Sequence, residues 1–217
     1  MKEGASEEKG GNDERKRVAG FVIAPPSIAC HSPAMNALLE VPAIRRQTAR
    51  LSVADFHRLG ESLRAELLDG ILINKMPKSP LHRLITRRIV RALESQISPE
   101  LEVWKEDPLT LADSEPEPDA AVVRKSPDNY ATAHPATAEL VVEVAISSLE
   151  IDRVKAVLYA EAGIVEYWIV CPEEKQVEVY RKPSAQGYAE CLTLAAPAML
   201  DCAALPGVRV DLAALFE

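Results

Sequence analysis

The sequence predicts a mixed α/β domain preceded by a tail, on three observations. Short apolar runs rich in β-branched residues recur at 101–105, 120–124, 139–145, 165–171 and 176–181. Helical patterns at 81–97 and about 149–163 are interleaved with them, an order that belongs to mixed α/β architectures. Asp69-Gly70 stands between two further short apolar runs, 65–68 and 71–75. Both residue types tolerate positive φ, so the pair marks a tight hairpin.

The chain of 217 residues is 47% hydrophobic and 27% charged. That composition excludes wholesale disorder, collagen and a multi-span membrane protein, and the length suits one good-sized domain plus a tail. Residues 1–50 show no sustained periodicity, only a mixed-charge head and a Pro-interrupted apolar stretch, so they are expected to form a disordered N-terminal tail ahead of a domain spanning 51–217. The uncharged stretch 18–39 follows Arg15-Lys16-Arg17 and superficially resembles a signal sequence. Pro25-Pro26 cuts its apolar run short, and Glu7, Glu8, Asp13 and Glu14 crowd the supposed basic region, so a plain leader is the expectation.

Ser52-Val53-Ala54-Asp55 has the form of a capping box, and Gly60 suits the residue just past a helix, giving a short first helix. Along 81–97, apolar residues at 81, 85, 89, 92 and 93 keep one helical face while Arg83, Arg87 and Arg91 stack at i, i+4 and i+8. Such a stripe is usually a solvated face. The run 139–145 is nearly all apolar, as expected of a strand buried on both sides, so Glu143 within it is costly to place without a partner. Tyr167 and Trp168 are expected to pack the core.

Charge and cysteines narrow the chemistry. Lys and Arg number 25 against 33 Asp and Glu, a net charge of −8, which repels nucleic acid and anionic lipid as a whole and requires any anion site to be local. Cys30, Cys171, Cys191 and Cys202 form no CxxC pair and have no His at zinc-ligand spacing. Reduced thiols in a cytoplasm are therefore expected, with no disulfide frame, no zinc knuckle and no membrane association.

Glu66 beside the hairpin, Asp119 at a strand start after Pro118, Glu143 mid-strand, and Asp152 with Lys155 on the next helix are the candidates for chemistry. Asp119 and Glu143 fall on strands expected to be neighbours. Two carboxylates held a few ångströms apart repel unless a cation lies between them, which suits a hard, oxygen-loving ion such as Mg²⁺. Each has an ordinary reading too. An Asp after Pro is most often a turn residue, Asp152 and Lys155 form an i,i+3 surface pair by default, Glu66 fits a hairpin edge, and His82 fits a helix cap.

Taken together and in order, the residues resemble a family. The segments are Ala-Glu-Leu-Leu-Asp-Gly at 65–70, Ser79-Pro80-Leu81-His82, Pro118-Asp119, Leu-Val-Val-Glu-Val-Ala at 140–145, Asp152 to Lys155, Tyr-Ala-Glu-Ala-Gly-Ile-Val-Glu-Tyr-Trp-Ile-Val at 159–170, and the closing Leu-Pro-Gly-Val-Arg-Val-Asp-Leu-Ala-Ala-Leu-Phe at 205–216. This set resembles the Uma-type restriction endonuclease family of the PD-(D/E)XK nuclease superfamily, over about 51–217. The resemblance implies a restriction-endonuclease-like αβββαβ core and Mg²⁺-dependent DNA endonuclease activity, with Mn²⁺ as a substitute and a homodimer allowed. It also implies that Asp119 and Glu143 ligate the metal, helped by a backbone carbonyl near Val144, that Glu66 is an outer acidic member and that Lys155 supplies the superfamily's lysine. The usual slot for that lysine, two residues after the glutamate, holds Ala145, while Ile146 and Cys171 stand where relatives often carry an acid. Lys75, Lys78 and His82, with Arg83, Arg87 and Arg91, would then form a local nucleic-acid track. The rival expectation is a catalytically inactive nucleic-acid-binding or scaffold protein on the same fold.

Overall fold

The computed structural model describes residues 1, 50–60 and 63–217, and the expected tail lies almost wholly outside them. Helix α1 (Val53–Leu59) opens the fold on the capping box read from sequence: Ser52 Oγ accepts from the Asp55 amide, and the Asp55 carboxylate accepts from the Ser52 amide. The hairpin of β1 (Ala65–Leu68) and β2 (Ile71–Asn74) turns on Asp69 and Gly70, with φ of 48° and 74°. It is pinned to the segment 113–115, which leads into the second strand of the central sheet, since Leu67 and Glu115 exchange backbone hydrogen bonds of 3.3 and 2.7 Å and the Gly70 amide donates to the Asp113 carbonyl. A Cβ at Gly70 would lie 2.7 Å from the Arg50 Cβ. Gly70→Ala is therefore expected to cost about 1–2 kcal/mol from the positive φ and the clash, read as a fall of several degrees in Tm. An unchanged Tm would show that residue 50 moves aside freely.

Helix α2 (Pro80–Glu94) starts at Ser79, whose Oγ accepts from the His82 amide, with Pro80 in the first turn where its missing N–H costs nothing. It ends at Glu94, short of the expected 97. The Ser95 and Gln96 side chains both bond the Ala92 carbonyl, competing with the helical ladder, and Pro99 follows shortly after.

The six-stranded sheet runs β3 (Leu101–Trp104), β4 (Ala120–Arg124), β5 (Leu140–Val144), β6 (Glu166–Cys171), β7 (Gln176–Ser184), β8 (Gly187–Ala195) in spatial order. All neighbours are antiparallel except β5 and β6, which are parallel and joined by helix α3 (Leu149–Glu161). Parallel neighbours need such a crossover, so this one connection places a helix directly after the strand bearing Glu143. The αβββαβ order of α2, β3, β4, β5, α3 and β6 is the expected core.

Side-chain alternation divides the interior into two layers. On one face Ile85, Ile89 and Leu93 of α2 pack on Val122, Val142 and Trp168; on the other Ala156 and Tyr159 of α3 pack on Val141, Tyr167 and Ile169. Tyr167 and Trp168 are fully buried on opposite faces, as expected of core residues. Beyond Arg181, where the sequence pattern predicts no strand or helix, β8 forms a nine-residue edge strand. It is followed by the hairpin of β9 (Met199–Asp201) and β10 (Arg209–Asp211) and by helix α4 (Leu212–Phe216), which close the α2 layer. Glu166, wholly buried at the start of β6, ties this C-terminal region in by accepting from the amides of Ala203 and Ala204 and from Arg181.

Candidate active site

Sheet register brings the two central acids together. Ala120 pairs with Val142 across β4 and β5, so Asp119, one step earlier, stands opposite Glu143, and its amide donates to Glu143 Oε2 at 3.3 Å. Both odd-numbered side chains belong to the α3 face, alongside Ala121 and Val141. Both are almost completely buried.

Helix α3 supplies the cation. Lys155 is buried, and its Nζ lies 2.8 Å from Glu143 Oε1 and 2.8 Å from Glu66 Oε2 on β1. One helical turn on, Tyr159 donates to the same Glu143 oxygen at 3.1 Å. Lys155 thus reaches back from α3 to the Glu143 strand, and it is buried rather than the surface partner of Asp152 that the i,i+3 spacing predicts by default. Asp152 is itself buried and accepts from Ser148 Oγ at 2.6 Å.

Asp119 is held from the other side. Its Oδ2 accepts from the Val144 amide at 2.8 Å and meets His82 Nε2 at 3.0 Å, while Lys78 Nζ donates to Oδ1 at 2.7 Å. His82 occupies the buried face of α2 with Ile85, Thr86 and Ile89. A polar residue at that helical spacing within an apolar face is the one sign in the sequence that it faces a partner inside the fold. Nothing local pointed to Lys78 or Tyr159 as partners of these acids.

The electrostatics differ between the acids. Burial pushes Glu143 well above the usual carboxylate range, only partly offset by Lys155, and Asp152, Asp119 and Glu66 add to the rise. Burial likewise takes Asp152 up to about 6. For Asp119 the cost of burial is outweighed by the His82 hydrogen bond and the Lys78 charge, which hold it below its ordinary value. Burial alone would lower Lys155, but Glu143 and Glu66 keep its ammonium charged.

The site opens into a cleft of about 1330 Å³, whose walls include Arg83, Arg87, Lys75 and Lys78. Arg83, Arg87 and Arg91 are exposed along one stripe of α2 and form no ion pair among the described residues, whereas Lys75 pairs with Glu117 and Lys78 with Asp119 and Glu106. Arg91 lies beyond the cleft lining.

Among the described residues, no group of three or more His, Cys, Asp or Glu side chains is placed as a ready-made metal cage. Mg²⁺ seldom uses one, being held by one or two carboxylates with water and substrate phosphate. Asp119 and Glu143 fit that donor set. The acids Glu66, Asp119, Glu143 and Asp152 crowd around the two ammonium groups of Lys78 and Lys155, and the raised Glu143 and Asp152 carboxyls are the ones a divalent cation would favour in their charged form.

An αβββαβ core with one acid just ahead of its second strand opposed to another on its third, backed by a lysine from the crossover helix, defines a restriction-endonuclease-like domain. The chain belongs to the Uma2 family, described as "Putative restriction endonuclease", whose model matches residues 53–213. Among solved structures it is similar to a "putative nuclease belonging to DUF820" from Anabaena variabilis ATCC 29413. That likeness has a TM-score of 0.64 and 19% identity, covering 76% of this chain and 97% of that one. No curated protein matches the chain. No helix among the described residues is long and apolar enough to cross a membrane.

Proposed function

We propose that this protein is a Mg²⁺-dependent endonuclease that hydrolyses phosphodiester bonds in DNA, with Mn²⁺ as an alternative ion. The observation that carries the reading is the opposition of buried Asp119 and Glu143, with Lys155 fixed at 2.8 Å from Glu143. Membership of the Uma2 family supports it. Asp119 Oδ1 and Glu143 Oε2 are the oxygens that would hold the metal, because the partner oxygens, Asp119 Oδ2 and Glu143 Oε1, are each engaged by two protein donors. When bound, the ion lowers the pKa of a water and neutralises charge growing on the phosphate.

The remaining roles fall to the chain itself. Lys155 orients Glu143 and presents a fixed positive charge beside the reacting phosphate, in place before reaction and shielded from solvent. Glu66 keeps the Lys155 ammonium from turning away. His82 holds Asp119 against the Val144 amide, fixing its rotamer. Arg83 and Arg87 receive the backbone of the nucleic acid along the cleft rim, so that a protein of net charge −8 offers positive charge where phosphates enter.

Purified protein is expected to nick supercoiled plasmid with Mg²⁺ or Mn²⁺ and to stop in EDTA. Undiminished cleavage in chelator would overturn the metal role. DNA binding without cleavage at any divalent ion would favour an inactive binding protein on the same fold.

A further inference from the structure

The two lysines of the site stand in different mechanical situations. Lys155 projects from the middle of α3, and its side chain is 6% exposed between Glu66 and Glu143. Lys78 lies in the irregular segment between β2 and α2, and its side chain is 31% exposed at the cleft wall. Asp119 gives its two oxygens different partners as well. The donors to Oδ2 are an amide fixed in a strand and a histidine ring packed on the buried face of a helix. The donor to Oδ1 is the Lys78 ammonium at the end of a flexible stem, which has a second partner, Glu106, at 3.1 Å.

We infer that Lys78 is an exchangeable counter-cation, holding Asp119 Oδ1 in the metal-free protein and giving that oxygen up when a divalent ion arrives. The inference rests on the metal reading of Asp119 above and adds the regulation of that site. An ammonium and a divalent ion sharing one carboxylate oxygen repel at close range, in surroundings where screening is weak. Glu106 offers the displaced ammonium a resting place toward the cleft. Without Lys78, Asp119 and Glu143 would stay in place, fixed by the strands and by His82 and Lys155, yet Asp119 would lack its mobile neutraliser. Lys78 thus keeps the opposed acids from repelling each other while the site is empty, at the expense of metal affinity.

The test is calorimetric titration of Mn²⁺, without nucleic acid, into the wild-type protein and three variants. Lys78→Met is expected to bind Mn²⁺ roughly tenfold more tightly than wild type. Lys75→Met removes the same charge from the same cleft but from a lysine paired with Glu117, so it is expected to stay within about threefold of wild type. Asp119→Asn is expected to bind at least about tenfold more weakly. Lys78→Met binding no tighter than wild type, or Lys75→Met gaining as much, would overturn the exchange role while leaving the metal site standing. Wild type and Asp119→Asn binding alike would instead overturn the metal reading of Asp119.

Discussion

Asp119→Asn is expected to lower plasmid cleavage roughly a thousandfold, about 4 kcal/mol of transition-state stabilisation, while the protein still folds. The shape of the side chain is kept, and the amide oxygen can still accept from the Val144 amide, the contact that anchors Asp119 to β5. The negative charge is lost. An amide nitrogen placed on Lys78 or His82 opposes a donor with a donor, so Lys78 should turn to Glu106. The stability cost has a definite pH signature. The carboxyl of Asp119 is held below its unfolded value, so its contribution is present above the unfolded pKa near 3.8 and fades as pH falls through the lower folded value. Wild type and variant should therefore differ in Tm at pH 7 and converge as the medium becomes strongly acidic. Cleavage by Asp119→Asn within tenfold of wild type would remove Asp119 from the reacting centre.

What the sequence revealed and what it hid divide along physical lines. The strand and helix runs were legible because period-2 and period-3.6 patterns are local, and the hairpin because Asp-Gly is a local turn chemistry. The opposition of Asp119 and Glu143 followed from two neighbouring strands and their alternation. Side-chain partners were hidden wherever they bridge elements far apart in the chain. Lys78 and His82, read as nucleic-acid contacts, meet Asp119 across 41 and 37 positions, and no periodicity encodes such a pairing. The edge strand β8 carries no such local signal, because its residues are mostly half-exposed or exposed, with only Leu194 buried, and no continuous apolar run marks it.

Lys155→Ala is expected to combine the largest loss of stability with a large loss of activity. Removing this ammonium leaves Glu143, Glu66 and Asp152 without their shared cation, and breaking a buried ion pair from one side costs about 3–5 kcal/mol. The acids can escape part of that penalty by taking up protons. Burial has already raised Glu143 and Asp152 in the wild type, and loss of Lys155 raises them further. Carboxyls whose folded pKa exceeds the unfolded value destabilise the fold progressively as pH rises above the unfolded value, so the variant should lie close to wild type near pH 4 and fall away toward pH 7 and above. A merely space-filling lysine would give a pH-independent deficit instead. Cleavage measured in single turnover, at a pH and temperature where the variant remains folded, is expected to drop at least about a hundredfold, or 2.7 kcal/mol, because a charge fixed beside the phosphate is gone. Lys155→Arg should recover the stability poorly, since a planar fork does not fit where a compact ammonium reaches two carboxylates at 2.8 Å in a buried space. A Lys155→Ala protein that melts with wild-type pH dependence and cuts at the wild-type rate would show that neither carboxylate depends on this lysine, leaving Asp119 and Glu143 to account for any cleavage by themselves.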